Sequence, residues 1–268
     1  MIYFAPAKIN IGLKVLNKRP DSYHNIDTIF YPIPLHDILE FVKSDDFEMQ
    51  TTGLEVGGDL ESNLVYKAYQ LIKSKFQIEG VRIHLHKIIP MGAGLGGGSS
   101  DAALTLIALN QLFNLNLDKE TLAQYALTLG ADCPFFIYQK PLRATQTGAV
   151  FSNVEMNLSG KYIVLIKPEI HISTAEAYSG VHLEGEADSL DLSIVNQPEL
   201  WKAKYINSFE NHLFKKYPLL KELKDSLYNQ GAIYASMSGS GSTLFGIFDS
   251  EPMIRDEWKK HFVFSKKL

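Results

Sequence analysis

The chain has 268 residues, 46% of them hydrophobic and 21% charged, with a formal net charge of −4. That length suits one large domain or two modest ones sharing a cleft, and the mild acidity gives no support to nucleic-acid binding, which calls for a basic face. A single cysteine, Cys133, excludes an internal disulfide and fits a reducing, cytoplasmic setting.

No basic stretch followed by a long apolar run opens the sequence, so no secretory signal is expected. The longest strongly apolar run, 162–166, is far shorter than the ~20 residues of a membrane helix. No cysteine–histidine spacing points to zinc, and there is no internal repeat.

In chain order, the first informative segment is Lys8-Ile9-Asn10-Ile11-Gly12-Leu13-Lys14-Val15. Its apolar residues share one strand face and Lys8, Asn10, Gly12 and Lys14 share the other. Such a strand either floors a polar cleft or faces solvent. Asp21-Ser22-Tyr23-His24 follows a proline and reads as a turn. Strands follow at 26–31, 38–43 and 47–52, closed by Gly57-Gly58. A helix begins at Ser62 or Asn63 and runs to Lys75 with Leu64, Val65, Ala68, Leu71 and Ile72 inside.

Val81, Ile83 and Leu85 alternate with Arg82, His84 and His86, which marks a half-buried strand. Then comes Pro90-Met91-Gly92-Ala93-Gly94-Leu95-Gly96-Gly97-Gly98-Ser99-Ser100-Asp101, followed by apolar residues at helical spacing through Phe113. The unit reads strand, glycine loop, helix N-terminus, with Ser99 or Ser100 capping the first turn. Glycines let an anion approach the backbone, and a helix N-terminus presents unpaired N–H groups with about half a positive charge. Together they make a phosphate cradle. The pattern G-x-G-x-x-G is satisfied, but Pro90 breaks the strand before the turn. About twenty residues on, moreover, the chain is a polar loop and not a strand end carrying a ribose-binding acid. No Lys-Ser or Lys-Thr follows, which excludes a P-loop, and protein-kinase signatures are absent.

A helix at 119–129 is capped by Asp118 and stopped by Gly130. Asp132 lies between that helix end and a buried apolar run. It is either a turn residue bonded to its own backbone or a working carboxylate against apolar walls. Cys133 reads as a small buried hydrophobe. The pattern restarts past residue 150 with a strand at 161–167, a helix start capped by Ser173 or Thr174, and a polar acidic loop at 180–191. Helices at 209–217 and 219–229 precede a strand at 232–237, the small-residue loop Ser238-Gly239-Ser240-Gly241-Ser242, a strand at 243–248 and a final helix at 253–261. The small-residue loop is either a plain hairpin turn or a mobile wall over a substrate.

The ordered set Ala5-Pro6-Ala7-Lys8-Ile9-Asn10, the 90–100 loop and 238–242 resembles the GHMP kinase family of small-molecule kinases. Tyr23-His24, Gly130-Ala131-Asp132-Cys133-Pro134-Phe135-Phe136 and Asn207-Ser208-Phe209-Glu210 narrow the likeness to the branch acting on a diphosphocytidyl-linked methylerythritol. The resemblance implies a two-domain α+β fold with a cleft between the halves. Residues 1–150 would form a ribosomal-protein-S5-type N-terminal domain and residues 151–268 a GHMP C-terminal domain. It implies ATP with Mg²⁺ as phosphoryl donor and a small-molecule alcohol as acceptor, with no nucleic-acid or membrane partner. Asp132 would be the base and Lys8 would sit beside it and the hydroxyl. Pro90, Met91, Gly92, Ala93, Gly94, Leu95, Gly96, Gly97, Gly98, Ser99 and Ser100 would hold the ATP phosphates, with Asn63 near the adenine. Asn10, Tyr23, His24, Tyr178, Gly239, Ser240 and Gly241 would meet the substrate, the aromatics around its cytosine. Ser99, Ser100 and Asp101 offer oxygens for Mg²⁺, but Asp101 is equally a first-turn acid favouring the helix dipole, so the metal ligands stay open. A homoserine or mevalonate kinase, which has no base to stack, and a non-catalytic nucleotide-binding regulator are the alternative readings.

Overall fold

The computed structural model describes residues 1–181 and 188–268. Helices and strands are mixed in an α+β architecture, and the chain divides into two compact units, each assembled from separate segments. Strands β1 (Ile2–Lys18) and β2 (His24–Ser44) contribute residues to both units.

The first unit comprises Met1–Lys8, Pro34–Met91 and Gly96–Lys140. Strand β3 (Glu48–Gly53) and strand β4 (Gly80–Lys87) are parallel neighbours, so the chain between them must cross over. Helix α1 (Leu64–Lys75) is in that crossover, and Asn63 Oδ1 accepts from the Val65 N–H at 2.9 Å to start it. The far end of β2 pairs antiparallel with β4, Ile38 opposite His86 and Ser44 opposite Gly80. Helices α2 (Gly97–Leu112), α3 (Lys119–Leu129) and α4 (Cys133–Tyr138) follow. Val81, Ile83 and Leu85 of β4, Ala68 and Ile72 of α1, Ala102, Leu106 and Leu109 of α2, and Phe135 and Phe136 of α4 are all buried. Asp118 caps α3 as expected, its Oδ1 accepting from Thr121 N at 2.8 Å.

The second unit comprises Ile9–Ile33, Gly92–Leu95 and Pro141–Leu268. The near end of β2 pairs antiparallel with β5 (Leu142–Gln146), and β5 hairpins onto β6 (Val150–Asn153). A separate antiparallel sheet has the order β10-β7-β9-β8, built from β7 (Tyr162–Lys167), β8 (Tyr234–Met237), β9 (Leu244–Phe248) and β10 (Phe262–Lys267). Helices α5 (Thr174–Ser179), α6 (Pro198–Lys204), α7 (Glu210–Lys216) and α8 (Pro218–Asn229) complete it, with Trp201, Tyr234, Phe245 and Trp258 fully buried.

Four sequence expectations change. The strands expected at 26–31 and 38–43 are one continuous β2, with Pro32 and Pro34 between the part paired to β5 and the part paired to β4. Neither Ser99 nor Ser100 caps α2; the helix starts at Gly97, and its cap position is Gly96 in the left-handed region at φ 71°. Residues 253–261 form no helix: 256–260 make turns in which Trp258 is fully buried, its Nε1 donating to Ser226 Oγ at 2.9 Å. The chain then enters β10, which the sequence reading left unassigned. The acidic loop at 180–191 lies partly outside the described residues. Among the described residues, no helix is long and apolar enough to cross a membrane.

Candidate active site

In the first unit the site begins where α2 begins. A Cβ on Gly96 would stand 2.8 Å from Phe136 Cζ and 3.2 Å from Lys8 Cγ, so only glycine lets the helix start over the Lys8 stem. The opening N–H groups of α2 have no helical acceptor and carry the positive end of its dipole. A Cβ on Gly98 would meet only Leu64, at an ordinary 3.8 Å. Packing therefore does not require glycine there.

Lys8 and Asp132 meet in the same unit, Nζ to Oδ2 at 3.5 Å, with side-chain exposures of 4% and 36%. Asp132 occupies the cap position of α4, yet its side chain makes no capping hydrogen bond. The carboxylate is thus not consumed by capping its own helix. Burial pulls the Lys8 ammonium below the usual lysine range, and the nearby Asp132 carboxylate works against that pull. The neighbouring Cys133 thiol is pushed up to about 11 by burial, so it is no nucleophile.

Beneath the same helix end lies a cluster that the sequence reading missed. Lys87 Nζ donates to Asp37 Oδ2 at 2.5 Å and to Asp101 Oδ2 at 2.7 Å, and all three side chains are at most 3% exposed. Asp37 Oδ1 accepts from the N–H groups of Ile88 and Ile89 at 2.6 and 2.8 Å. Burial raises the Asp101 carboxyl to about 7 against the pull of Lys87. Asp101 Oδ1 and Ser100 Oγ are buried without a hydrogen-bond partner. The only sequence signals were a lysine closing an alternating strand and an acid in the first turns of a glycine-led helix.

In the second unit the two small-residue loops are joined. Ser238 Oγ donates to the Gly94 carbonyl at 2.8 Å and accepts from Asn10 N at 3.3 Å. Thr243 N donates to the Ala93 carbonyl at 3.4 Å. Asn207 Nδ2 donates to the carbonyls of Met237 and Gly239 at 2.8 and 2.9 Å, and its Oδ1 accepts from Phe209 N. Asn10 is 2% exposed and its Nδ2 donates to Thr28 Oγ1 at 3.0 Å. The polar face of β1 is therefore buried at Lys8, Asn10 and Gly12 and is not a solvent face.

Tyr23 is 66% exposed. His24 stacks directly on Tyr178 with ring centroids 4.8 Å apart, and Phe209 meets Tyr178 edge-on at 4.9 Å. Burial and Lys18 lower the His24 pKa. Asn63 spends its carbonyl oxygen on capping α1, and Met91 is largely exposed. His171 stands beside the glycine loop, where a Cβ on Gly92 would come within 3.3 Å of its ring.

A glycine-led helix N-terminus and a buried lysine beside a carboxylate that caps nothing are features a small-molecule phosphotransferase can use, and comparisons with known proteins place the chain in that class. The GHMP kinases N terminal domain matches residues 63–140 and the GHMP kinases C terminal domain matches residues 194–263. The chain belongs to the GHMP kinase family. It is 47% identical to a 4-diphosphocytidyl-2-C-methyl-D-erythritol kinase of Bacteroides fragilis over 273 residues, covering 100% of both chains. It is 49% identical to the kinase of the same name from Cytophaga hutchinsonii, covering 94% of each. Among solved structures it is similar to a 4-(cytidine 5'-diphospho)-2C-methyl-D-erythritol kinase, with a TM-score of 0.80 and 36% identity over 92% of this chain and 90% of that one. Homoserine kinase from Cytophaga hutchinsonii, at a TM-score of 0.69 and 18% identity over 100% of this chain and 94% of that one, shares the fold.

Proposed function

We propose that the protein is an ATP-dependent kinase that phosphorylates the 2-hydroxyl of 4-diphosphocytidyl-2-C-methyl-D-erythritol, a step of the non-mevalonate route to isoprenoid precursors. Full-length relatives at 45–49% identity carry that activity in their names. Asp132, beside Lys8 and free of any capping duty, is the observation that carries the chemistry.

Phosphoryl transfer runs through a loose transition state, so positioning and charge stabilisation do most of the catalysis. A tertiary alcohol is a crowded, weak nucleophile. Asp132 takes its proton as the oxygen bonds to the γ-phosphorus and the bond to the ADP oxygen breaks. Lys8 holds the carboxylate in place. The glycine loop and the α2 N-terminus receive the phosphates that a P-loop lysine holds elsewhere. Asn10 and the loop bearing Gly239, Ser240 and Gly241 line the acceptor, and the exposed Tyr23 offers a face to the cytosine.

Mg²⁺ supplies charge neutralisation at the phosphates of kinase reactions. Among the described residues no three His, Cys, Asp or Glu side chains converge. One oxygen of Asp101 is already on Lys87, and Asp132 lies against Lys8. Mg²⁺ in kinase sites is held largely by the nucleotide phosphates with one or two protein oxygens, and no step is assigned to the ion.

Purified protein incubated with ATP, Mg²⁺ and the cytidyl substrate tests the reading, with homoserine and mevalonate beside it. Turnover of the cytidyl substrate alone, lost in Asp132→Asn, is expected. Turnover of homoserine or mevalonate instead would overturn the substrate, and nucleotide binding without any turnover would overturn the enzyme.

A further inference from the structure

Lys87 touches both sides of the entry to α2. It closes β4, and its ammonium lies directly under the first helical residue: a Cβ on Gly97 would stand 3.0 Å from Nζ. We propose that Lys87, gripped by Asp37 and Asp101, is a positioning residue for the kinase reaction, setting the N-terminal turn of α2 at the height and tilt that receive the nucleotide phosphates. The proposal rests on the phosphate-binding reading of the glycine loop.

Each member has a definable mechanical task. Asp37 reads the backbone: one oxygen takes the N–H groups of Ile88 and Ile89, the two residues that leave β4 for the loop. Its other oxygen takes Lys87. Asp101 projects from the helix just past its first turn and takes the same ammonium. Strand exit and helix entry are thereby referred to one nitrogen atom. Hydrophobic contacts alone allow sliding; four charge-assisted hydrogen bonds with fixed donor directions do not.

Stability does not account for the cluster. Drying three charges is costly, and apolar side chains of similar volume commonly stabilise a core as well or better. The cluster is also left incomplete, since Asp101 Oδ1 and Ser100 Oγ lack partners. Nor does it act as an anion attractor, because two carboxylates outnumber one ammonium. What remains is geometry at the helix end.

The test is steady-state kinetics of Asp101→Asn, varying ATP and the alcohol substrate separately. This variant leaves a one-to-one Asp37–Lys87 pair, so the fold keeps a balanced core. KM for ATP is expected to rise about ten- to hundredfold, the cost of an ångström-scale misplacement, with KM for the alcohol within twofold. Should Asp101→Asn not fold, Asp37→Asn serves, as its carbonyl oxygen still accepts from Ile88 and Ile89 while the other balanced pair remains. Gly98→Ala is run alongside, because its Cβ fits the fold and, on the loop reading, would crowd phosphates seated at the helix end. A raised KM for ATP in Gly98→Ala with unchanged kinetics in Asp101→Asn, or a lowered melting temperature alone, overturns the positioning role and leaves the loop reading standing. Unchanged KM for ATP in Gly98→Ala overturns the loop reading and the proposal with it.

Discussion

Ser238 Oγ donates to the carbonyl of Gly94 at 2.8 Å while accepting from the Asn10 N–H, so one hydroxyl fastens the Gly/Ser loop to the glycine loop and to β1. The approach leaves no room for a side chain. A Cβ on Gly94 would stand 1.9 Å from the Ser238 carbonyl oxygen, at a φ of 75° that β-carbon-bearing residues rarely adopt.

Gly94→Ala is therefore expected to part the two loops, costing several kcal/mol in overlap and strain together. Thermal denaturation should show a large drop and ATP turnover should vanish. Ser238→Ala removes both hydrogen bonds of that hydroxyl and leaves the Gly94 carbonyl and the Asn10 N–H without it, at roughly 1–3 kcal/mol for each group left unpaired. It should fold, melt a few degrees lower and bind ATP more weakly. Full activity in Gly94→Ala would show that the loops need not touch.

Asp132→Asn keeps the shape of the side chain and removes the base. Its kcat is expected to fall about 10²–10⁴-fold, the usual share of general-base catalysis, with both KM values little changed. Lys8→Met separates charge from packing. The methionine stem still fills the space under Gly96, and no ammonium has to be buried, so its melting temperature should hold or rise while kcat falls. A lowered melting temperature with normal kcat would make Lys8 structural.

Much of this was legible in the residues, and the exceptions have physical causes. Asp118 caps its helix as expected, and Asn63 and Ser173 each proved to be one of the two caps the sequence offered, because a cap is a local bond between neighbours. The glycine loop was visible for the same reason: it needs backbone freedom that only glycine gives. The Lys87 cluster was invisible, because Asp37, Lys87 and Asp101 lie on β2, β4 and α2 and become partners only through the Ile38–His86 register and the packing of α2. The 238–242 loop likewise read as either a hairpin turn or a wall over a substrate, and its bond to Gly94 became visible only in the fold. The 253–261 segment misled because a helical pattern of apolar residues is also met by a turn that buries one tryptophan.

Asp101 carries a pH prediction. Its folded pKa of about 7 lies above the ordinary aspartate value of 3.8, so between those values the folded state binds the extra proton. Stability from this group is present below about pH 4 and is lost as pH rises through about 7. Other carboxylates slope the opposite way, so the comparison must be differential. The melting temperature of wild type minus that of Asp101→Asn is expected to decline from pH 4 to pH 7 and level off above. A difference that is flat across that range would place the Asp101 pKa near its ordinary value.

The aromatic contact between His24 and Tyr178 predicts which ring a base has to win. Rings stacked on each other at 4.8 Å hold no third ring between them, so a cytosine that uses Tyr178 must first displace His24. Tyr23, 66% exposed, needs no such exchange. Stacking is worth about 1–3 kcal/mol per base, hence Tyr23→Ala should raise KM for the cytidyl substrate roughly five- to 150-fold and leave KM for ATP alone. His24→Ala has opposing parts: it uncovers Tyr178 for the base but removes a hydrogen-bonding edge. If displacement is the larger part, His24→Ala binds the substrate tighter than wild type, and the double variant His24→Ala/Tyr178→Ala loses that gain. Should His24→Ala bind more weakly while Tyr178→Ala is neutral, His24 meets the substrate itself and its stack on Tyr178 does not compete with the base.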